Sequence, residues 1–423
     1  MKQVWILNHY AVEPGAPGGT RHYSLSEHLP RFGWKATIIA ASAEHNGDGQ
    51  RLQANEAFRH EVCGKVPFLW LRTPRYRGNG GGRMVNMLAY TMRALLPAST
   101  AALPRPDAII GSSVHPFAAL AGALLARRHG VPFLFEVRDL WPQTLIDLGR
   151  LTERHPMTWM LRRLERALYR SAENIVTVLP NAADYIAPLG IPRSKVTWIP
   201  NGVETDAFPL AAKPQPAPGA PFVLMYLGSH GTANGLDHVL HALLHASRQL
   251  PPGALQLRMV GDGPLKPELR ELARRLGLDN VSFEPPVAKT AIPALAAQAD
   301  AFVISVLDRP QLYRYGISMN KLFDYLAAAR PILIASAAAN NPVADANAGI
   351  AVPPADPAAL GDAIVKLWNL GDAERRRMGL AGRHYVETHH RFQMLSRRLA
   401  ETLDRCVDPV AQPRPELAPL TKG

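Results

Sequence analysis

The feature that most constrains this chain is an alternation of short, continuously apolar runs with helical patterns, begun twice. In the first half the runs are "QVWILN" (3–8), "KATIIA" (35–40), "PFLWL" (67–71), "DAIIG" (107–111), "PFLFEV" (132–137), "NIVTVL" (174–179) and "VTWI" (196–199). Stretches such as "RHYSLSEHLPRFG" and "MTWMLRRLERALYRSA" lie between them, with apolar residues at helical spacing. The segment "AAKPQPAPGAP" (211–221) then breaks the pattern, because proline cannot continue a helix or a central strand. Beyond it the alternation restarts with "FVLMYLG", "LQLRMVGDG", "NVSFEPP", "AFVIS", "PILIA" and "GIAV". Strands that are apolar throughout belong in parallel sheets covered on both faces.

The expectation is therefore an α/β chain of two Rossmann-like, doubly wound domains facing a central cleft. Residues 1–210 form the first domain, 211–221 the linker and 222–388 the second. A helix at 389–407 packs back on the first domain, and the Pro-rich tail 408–423 is disordered. A length of 423 residues suits two cores. In such folds ligands sit at the carboxyl ends of the strands, where helix N-termini also gather.

Charge and cysteine usage narrow the class. The net charge is +12, from 47 Lys+Arg against 35 Asp+Glu, which suits phosphate-bearing partners or an anionic membrane surface. The two cysteines, Cys63 and Cys406, have no metal-type spacing and fit a reducing compartment. "MKQVWILNHY" reads as a buried first strand, not a signal peptide, and no apolar run approaches a bilayer-spanning length. The expected location is cytoplasmic, or peripheral on the inner face of the cytoplasmic membrane. Peripheral contact would fall on "RGNGGGRMVNMLAYTMRALLP" (77–97), where Met84, Met87, Leu88, Met92 and Leu95 lie near Arg83 and Arg93. The alternative is a Met-rich helix covering the first sheet.

Several chemistries are disfavoured by motif. The loop after the first strand, "HYAVEPGAPGGTRHYS", is not G-x-G-x-x-G, and no acid closes the second strand, so nicotinamide chemistry is disfavoured. No G-x-x-x-x-G-K-[ST] or Asp-x-Asp motif occurs. Gly18 and Gly19 offer close backbone approach, or a plain tight turn. The second domain's first loop, "LGSHGTANG", places Gly228, Ser229 and His230 at the cleft mouth, where bare amides can approach a phosphate. In "YRYGISMNKLFDYLAAARPILIA" (313–335), Ser318 is a candidate N-cap, with Lys321 and Asp324 one turn apart. The helix start plus Lys321 favours phosphate, while Asp324 can accept hydrogen bonds from a vicinal diol.

The order "VGDGP", "NVSFEPPVAKTAIPALAAQADAFVIS", "YGISMNKLFDYLAAARPILIA" and "AGIAVPPADPAALGDAI" resembles the donor half of glycosyltransferase family 4, which has the GT-B architecture. "GGTRHYSLSEHLPRFGWKATIIA", "FLFEVRDLWPQTLIDLG", "RRLERALYRSAENIVTV" and "IPNGVETDAF" resemble its acceptor half. "RDLWP" combined with "YGIS-x-NKLFDY" is similar to N-acetylfucosamine transferases of O-antigen and capsule assembly. The resemblance implies retaining transfer from a nucleoside diphosphate sugar to a lipid-linked or growing saccharide, with no metal required and no nucleic-acid partner. It implies that Asp324 is the ribose acid of a two-acid signature whose first acid falls at Gly316. The amides of Ile317 and Ser318 are then candidates for the missing sugar contact. Lys321, then Arg314, would supply the diphosphate charge usually carried by an Arg and a Lys after this domain's first strand. On the acceptor side, Arg138 and Asp139 stand where many relatives carry a histidine. Asp139 could orient or deprotonate the acceptor hydroxyl, and Arg138 could hold a phosphate or Asp139. His115 is a further candidate for a sugar contact. A GT-B sugar-nucleotide 2-epimerase and a non-catalytic sugar-nucleotide-binding scaffold remain alternatives.

Overall fold

The computed structural model describes residues 1–408 except Pro17, Asn46, Gly47, Asn79, Val114 and residues 211–218. Most of the expected linker, and the expected tail from 409, therefore lie outside the described residues.

The first sheet contains β1 (Lys2–Leu7), β2 (Trp34–Ala41), β3 (Phe58–Cys63), β4 (Val66–Leu71), β5 (Ala108–Ser112), β6 (Phe133–Val137), β7 (Asn174–Thr177) and β8 (Val196–Trp198). Their order is β3-β4-β2-β1-β5-β6-β7-β8, parallel except for β3, which runs antiparallel to β4 at the edge. β3 is the strand that the apolar runs do not reveal. Its "FRHEVC" is half-exposed to exposed along its length, as an edge that faces water requires.

The second sheet contains β9 (Phe222–Leu227), β10 (Leu255–Val260), β11 (Val281–Glu284), β12 (Ala301–Ser305), β13 (Ile332–Ala335) and β14 (Gly349–Val352). All pairs are parallel in the order β11-β10-β9-β12-β13-β14. All six coincide with apolar-rich runs. β9, β12 and β13 are largely buried because both faces are covered. β10, β11 and β14 are partly exposed and admit polar residues such as Gln256, Arg258 and Ser282.

Each sheet has one point where the winding reverses, between β1 and β5 in the first and between β9 and β12 in the second. Loops that leave adjacent strand ends in opposite directions there open a crevice, and the two crevices face each other. The last helix, Phe392–Val407, crosses back to the first domain and buries Leu395, Leu399 and Leu403 in its core. Asp404 Oδ1 fastens it, accepting from Trp34 Nε1 at 3.0 Å and Lys2 Nζ at 2.9 Å.

Candidate active site

On the second domain's wall, the loop after β9 lies against the loop after β10. A Cβ placed on Gly261 (φ +142°) would stand 2.0 Å from the Gly228 carbonyl oxygen, so only glycine permits this approach. Helix Asn320–Ala327 follows β12 and starts beside these loops. Its Lys321 is buried: Nζ donates to Tyr226 Oη at 2.8 Å and to Asn234 Oδ1 at 2.6 Å, and no carboxylate among the described residues pairs with it. Burial alone brings its pKa down to about 7. A lysine kept from water by neutral partners is a receptor for an anion.

One turn on, Asp324 is 7% exposed. Its Oδ2 pairs with Lys289 Nζ at 2.5 Å, while Oδ1 is buried with no partner among the described residues. Both residues line a cavity of about 500 Å³ between the domains, bounded opposite by Gly18, Thr20 and Glu27. A carboxylate with one oxygen anchored and one vacant can take a hydroxyl donor from that cavity.

Other parts of the sequence reading need correction. Ser318 is not a helix cap: the helix begins two residues later, with Met319 at the cap position. Ser318 instead joins the domains, its Oγ accepting from the Asn201 amide at 2.9 Å and its carbonyl from Asn201 Nδ2 at 2.5 Å. The Ile317 amide is also committed, donating to Asn340 Oδ1 at 2.6 Å while Asn340 Nδ2 returns a bond to the Ile317 carbonyl. It is therefore not free for a sugar. Gly316 has φ +100°, and a Cβ there would meet Asn340 Oδ1 at 2.6 Å and Pro180 of the first domain at 2.7 Å. No acid can occupy that position without moving the domains apart. Arg314 is exposed, with its guanidinium 4.7 Å from the Tyr315 ring, and makes no contact with Lys321 or Asp324.

His230, in this loop, is fully buried, and neither ring nitrogen has a partner among the described residues. Burial, with Lys266 adding to it, lowers its pKa to about 4, so the ring is neutral. Gly228 lies over the Lys321 side chain, and the Ser229 carbonyl accepts from Tyr226 Oη at 2.7 Å and Asn234 Nδ2 at 2.9 Å. The loop is thus tied to the two groups that hold the lysine.

On the first domain's wall, helix Arg21–His28 begins two residues after Gly19, with Thr20 at the cap position. Buried Arg21 donates Nε to Glu136 Oε1 at 2.9 Å, and its other nitrogens cap the carbonyls of Ile199 and Pro200. His22 Nε2 donates to Glu136 Oε2 at 2.6 Å. Burial opposes ionisation of Glu136, but His22 and Arg21 more than offset it, and the carboxyl is held well below its usual range. This network anchors the glycine loop to the end of β6. Arg138 and Asp139 follow β6. Asp139 keeps an exposed surface, yet the protein packed around its carboxyl raises its pKa, with Arg138 pulling the other way.

His115 is not a cleft residue. It is fully buried, its Nδ1 accepts from the Ala118 amide at the start of helix Pro116–His129, and its Nε2 bonds His9 Nδ1 at 2.7 Å. β1 and β5 are neighbours and a histidine follows the end of each within three residues, so the two rings meet and seal each other. Burial brings the His115 pKa to about 3. Sequence reading also missed Lys289, Tyr226 and Asn340. Lys289 stands within the quoted "PPVAKTAIP", but nothing local ties it to an aspartate 35 residues on.

Residues 18–202 match the family described as "Glycosyl transferase 4-like domain", and residues 221–369 match "Glycosyl transferases group 1". This chain is a family 4 glycosyltransferase. Its structure gives it the GT-B fold: two parallel-sheet domains around a cleft. Its relatives include WcaI of Escherichia coli K12, a putative colanic acid biosynthesis glycosyl transferase, 23% identical over 52% of this chain and 56% of WcaI. A GDP-mannose-dependent α-(1-6)-phosphatidylinositol monomannoside mannosyltransferase of Mycobacterium tuberculosis is 29% identical over 60% of this chain and 68% of that protein. The match to WcaI thus spans little more than half of that relative's length. Among solved structures, sucrose-phosphate synthase of Thermosynechococcus elongatus aligns with a TM-score of 0.75 at 16% identity, over 96% of this glycosyltransferase and 99% of the synthase. Anabaena HepE, solved with UDP and glucose, aligns with a TM-score of 0.65 at 16% identity, over 96% and 99% of the chains.

Proposed function

We propose that this glycosyltransferase moves a sugar, N-acetylated in our reading, from a UDP-linked donor to a hydroxyl of a lipid-linked or growing surface saccharide, with retention of configuration. The observation that carries this is the pair of unmet demands on helix 320–327. Lys321 is buried with no acid beside it among the described residues, and Asp324, one turn away, lines the cavity and has a buried oxygen without a partner. That spacing suits a diphosphate at the helix start and a ribose diol beyond it. The UDP held by HepE supports a uridine nucleotide, and the activity named for WcaI supports a surface-saccharide acceptor. Both halves match glycosyltransferase families, which supports transfer over epimerisation or mere binding.

In this reading the reaction is a front-face displacement. The departing diphosphate is stabilised by Lys321 and the helix start and helps to deprotonate the acceptor, which Asp139 orients. No divalent ion is invoked. In a test with purified protein, Asp324→Ala is expected to lower turnover by about 100-fold or more, without changing the fold. Full turnover in both Asp324→Ala and Lys321→Ala would overturn the donor-site assignment.

A lipid-linked acceptor requires contact with a membrane surface. No described helix is long and apolar enough to cross one. Helix Gly81–Leu95 buries Met87 and Tyr90 against the sheet but leaves Val85, Leu88 and Met92 exposed, Met92 by 70%. Helices 116–129 and 156–171 lie alongside and expose Leu124 and Trp159, with Arg163 stacked 3.9 Å from the Trp159 ring. An apolar stripe among arginines suits an anionic bilayer. The wild type is expected to float with phosphatidylglycerol-containing vesicles. Leu88→Glu/Met92→Glu should lose about 100-fold in partition, since burying two such side chains contributes on the order of 3 kcal/mol. Unchanged flotation of the double variant would remove this surface from the proposal.

A further inference from the structure

We propose that Arg138 reaches across the cleft, over the bare Cα of Gly19, to grip the donor's diphosphate from the acceptor-side wall. The inference rests on the donor reading above and assigns a second cation to that site, supplied by the other domain.

The geometry begins at Gly19. A Cβ built there would lie 3.7 Å from Arg138 Nη2 and 3.5 Å from Asn320 Nδ2, so the two side chains face each other across a gap kept open by the missing side chain. Asn320 is the first residue of helix 320–327, whose start carries no side-chain cap. The amides of Asn320 and Lys321 at that start, the Lys321 ammonium on the same turn, and Arg138 across the gap are all groups that favour an anion.

The second line of argument is the charge inventory. Arg138 is half-buried, and among the described residues its guanidinium makes no hydrogen bond and no ion pair. Its natural partner, Glu136, is already shared between Arg21 and His22. Asp139 is adjacent but forms no ion pair with it. Across the cleft, Lys289 is held by Asp324, and Lys266 donates to the carbonyls of Gly261 and Glu284 at 2.6 and 2.7 Å. Lys321 is then the one second-domain lysine of this group that awaits an anion, and a diphosphate carries more charge than one lysine neutralises. The planar guanidinium of Arg138 can take two phosphate oxygens at once. Because this cation comes from the first domain, the leaving group is fully neutralised only when both domains close on it.

Isothermal titration with UDP and UMP tests this on the full chain. Arg138→Gln is expected to weaken UDP about 10-fold or more and to leave UMP within about twofold, with Arg138→Lys intermediate. Gly19→Leu, which places a side chain in the gap with Arg138 intact, should also weaken UDP selectively. UDP affinity unchanged in Arg138→Gln while Asp324→Ala loses it would overturn this inference and leave the donor reading standing. Unchanged UDP affinity with a raised acceptor KM would equally overturn it, placing Arg138 on the acceptor. If neither nucleotide binds the wild type, the donor reading fails and this inference with it.

Discussion

Gly316→Glu, which restores the acid expected of the family's two-acid signature, is expected to lower turnover by about 100-fold or more, not to improve it. The backbone there has φ +100°, a conformation that costs a side-chain-bearing residue about 1–3 kcal/mol. The new Cβ would also lie 2.7 Å from the Pro180 ring and 2.6 Å from Asn340 Oδ1. Overpacking of this kind costs roughly another 1–3 kcal/mol. Pro180 belongs to the other domain, so relief of the clash pushes the domains apart and strains the Asn201–Ser318 bonds. Gly316→Ala should share most of the effect, because the first added atom already collides. Thermal melts and turnover of both variants check this. A glutamate variant at least as active as wild type would show that the segment moves far more freely than its contacts indicate.

The second large effect concerns Lys321. Its pKa of about 7 arises from burial, so near neutral pH the free protein holds it partly uncharged. A bound diphosphate favours the ammonium, so nucleotide binding takes up a proton. The sign follows: affinity for UDP is highest where Lys321 is already protonated and falls as pH rises above 7. The limiting slope is about tenfold per pH unit. Calorimetry in buffers of different ionisation enthalpy should detect the proton, and Lys321→Met should abolish both proton uptake and slope. The same variant should lose about 100-fold in turnover, the scale for removing one donor from a developing charge. A flat affinity profile from pH 7 to 9 in the wild type would exclude this linkage.

How far the site was legible depended on the residue. Asp324 and Lys321 stood out because helical spacing places them one turn apart, and a family resemblance gave that spacing a meaning. Ser318 was misread because its residue type suits a helix cap, while its hydroxyl is taken by Asn201, 117 residues earlier in the chain. His115 was misread for a related reason. It does follow a strand end, but His9 follows the end of the neighbouring strand, and two rings at one switch point bury each other.

The sequence by itself determined the two-domain α/β architecture, all six strands of the second sheet and the helix that carries the candidate donor site. These follow from period and polarity among contiguous residues, which act before any distant contact forms. Only the tertiary structure decided which charges are spent and which are free. Arg21 and His22 consume Glu136, Lys289 holds Asp324, and among the described residues Lys321 and Arg138 are left without an acid. Such pairings join residues tens to hundreds of positions apart. They are set by which strand ends the winding brings together, and local sequence carries no record of that.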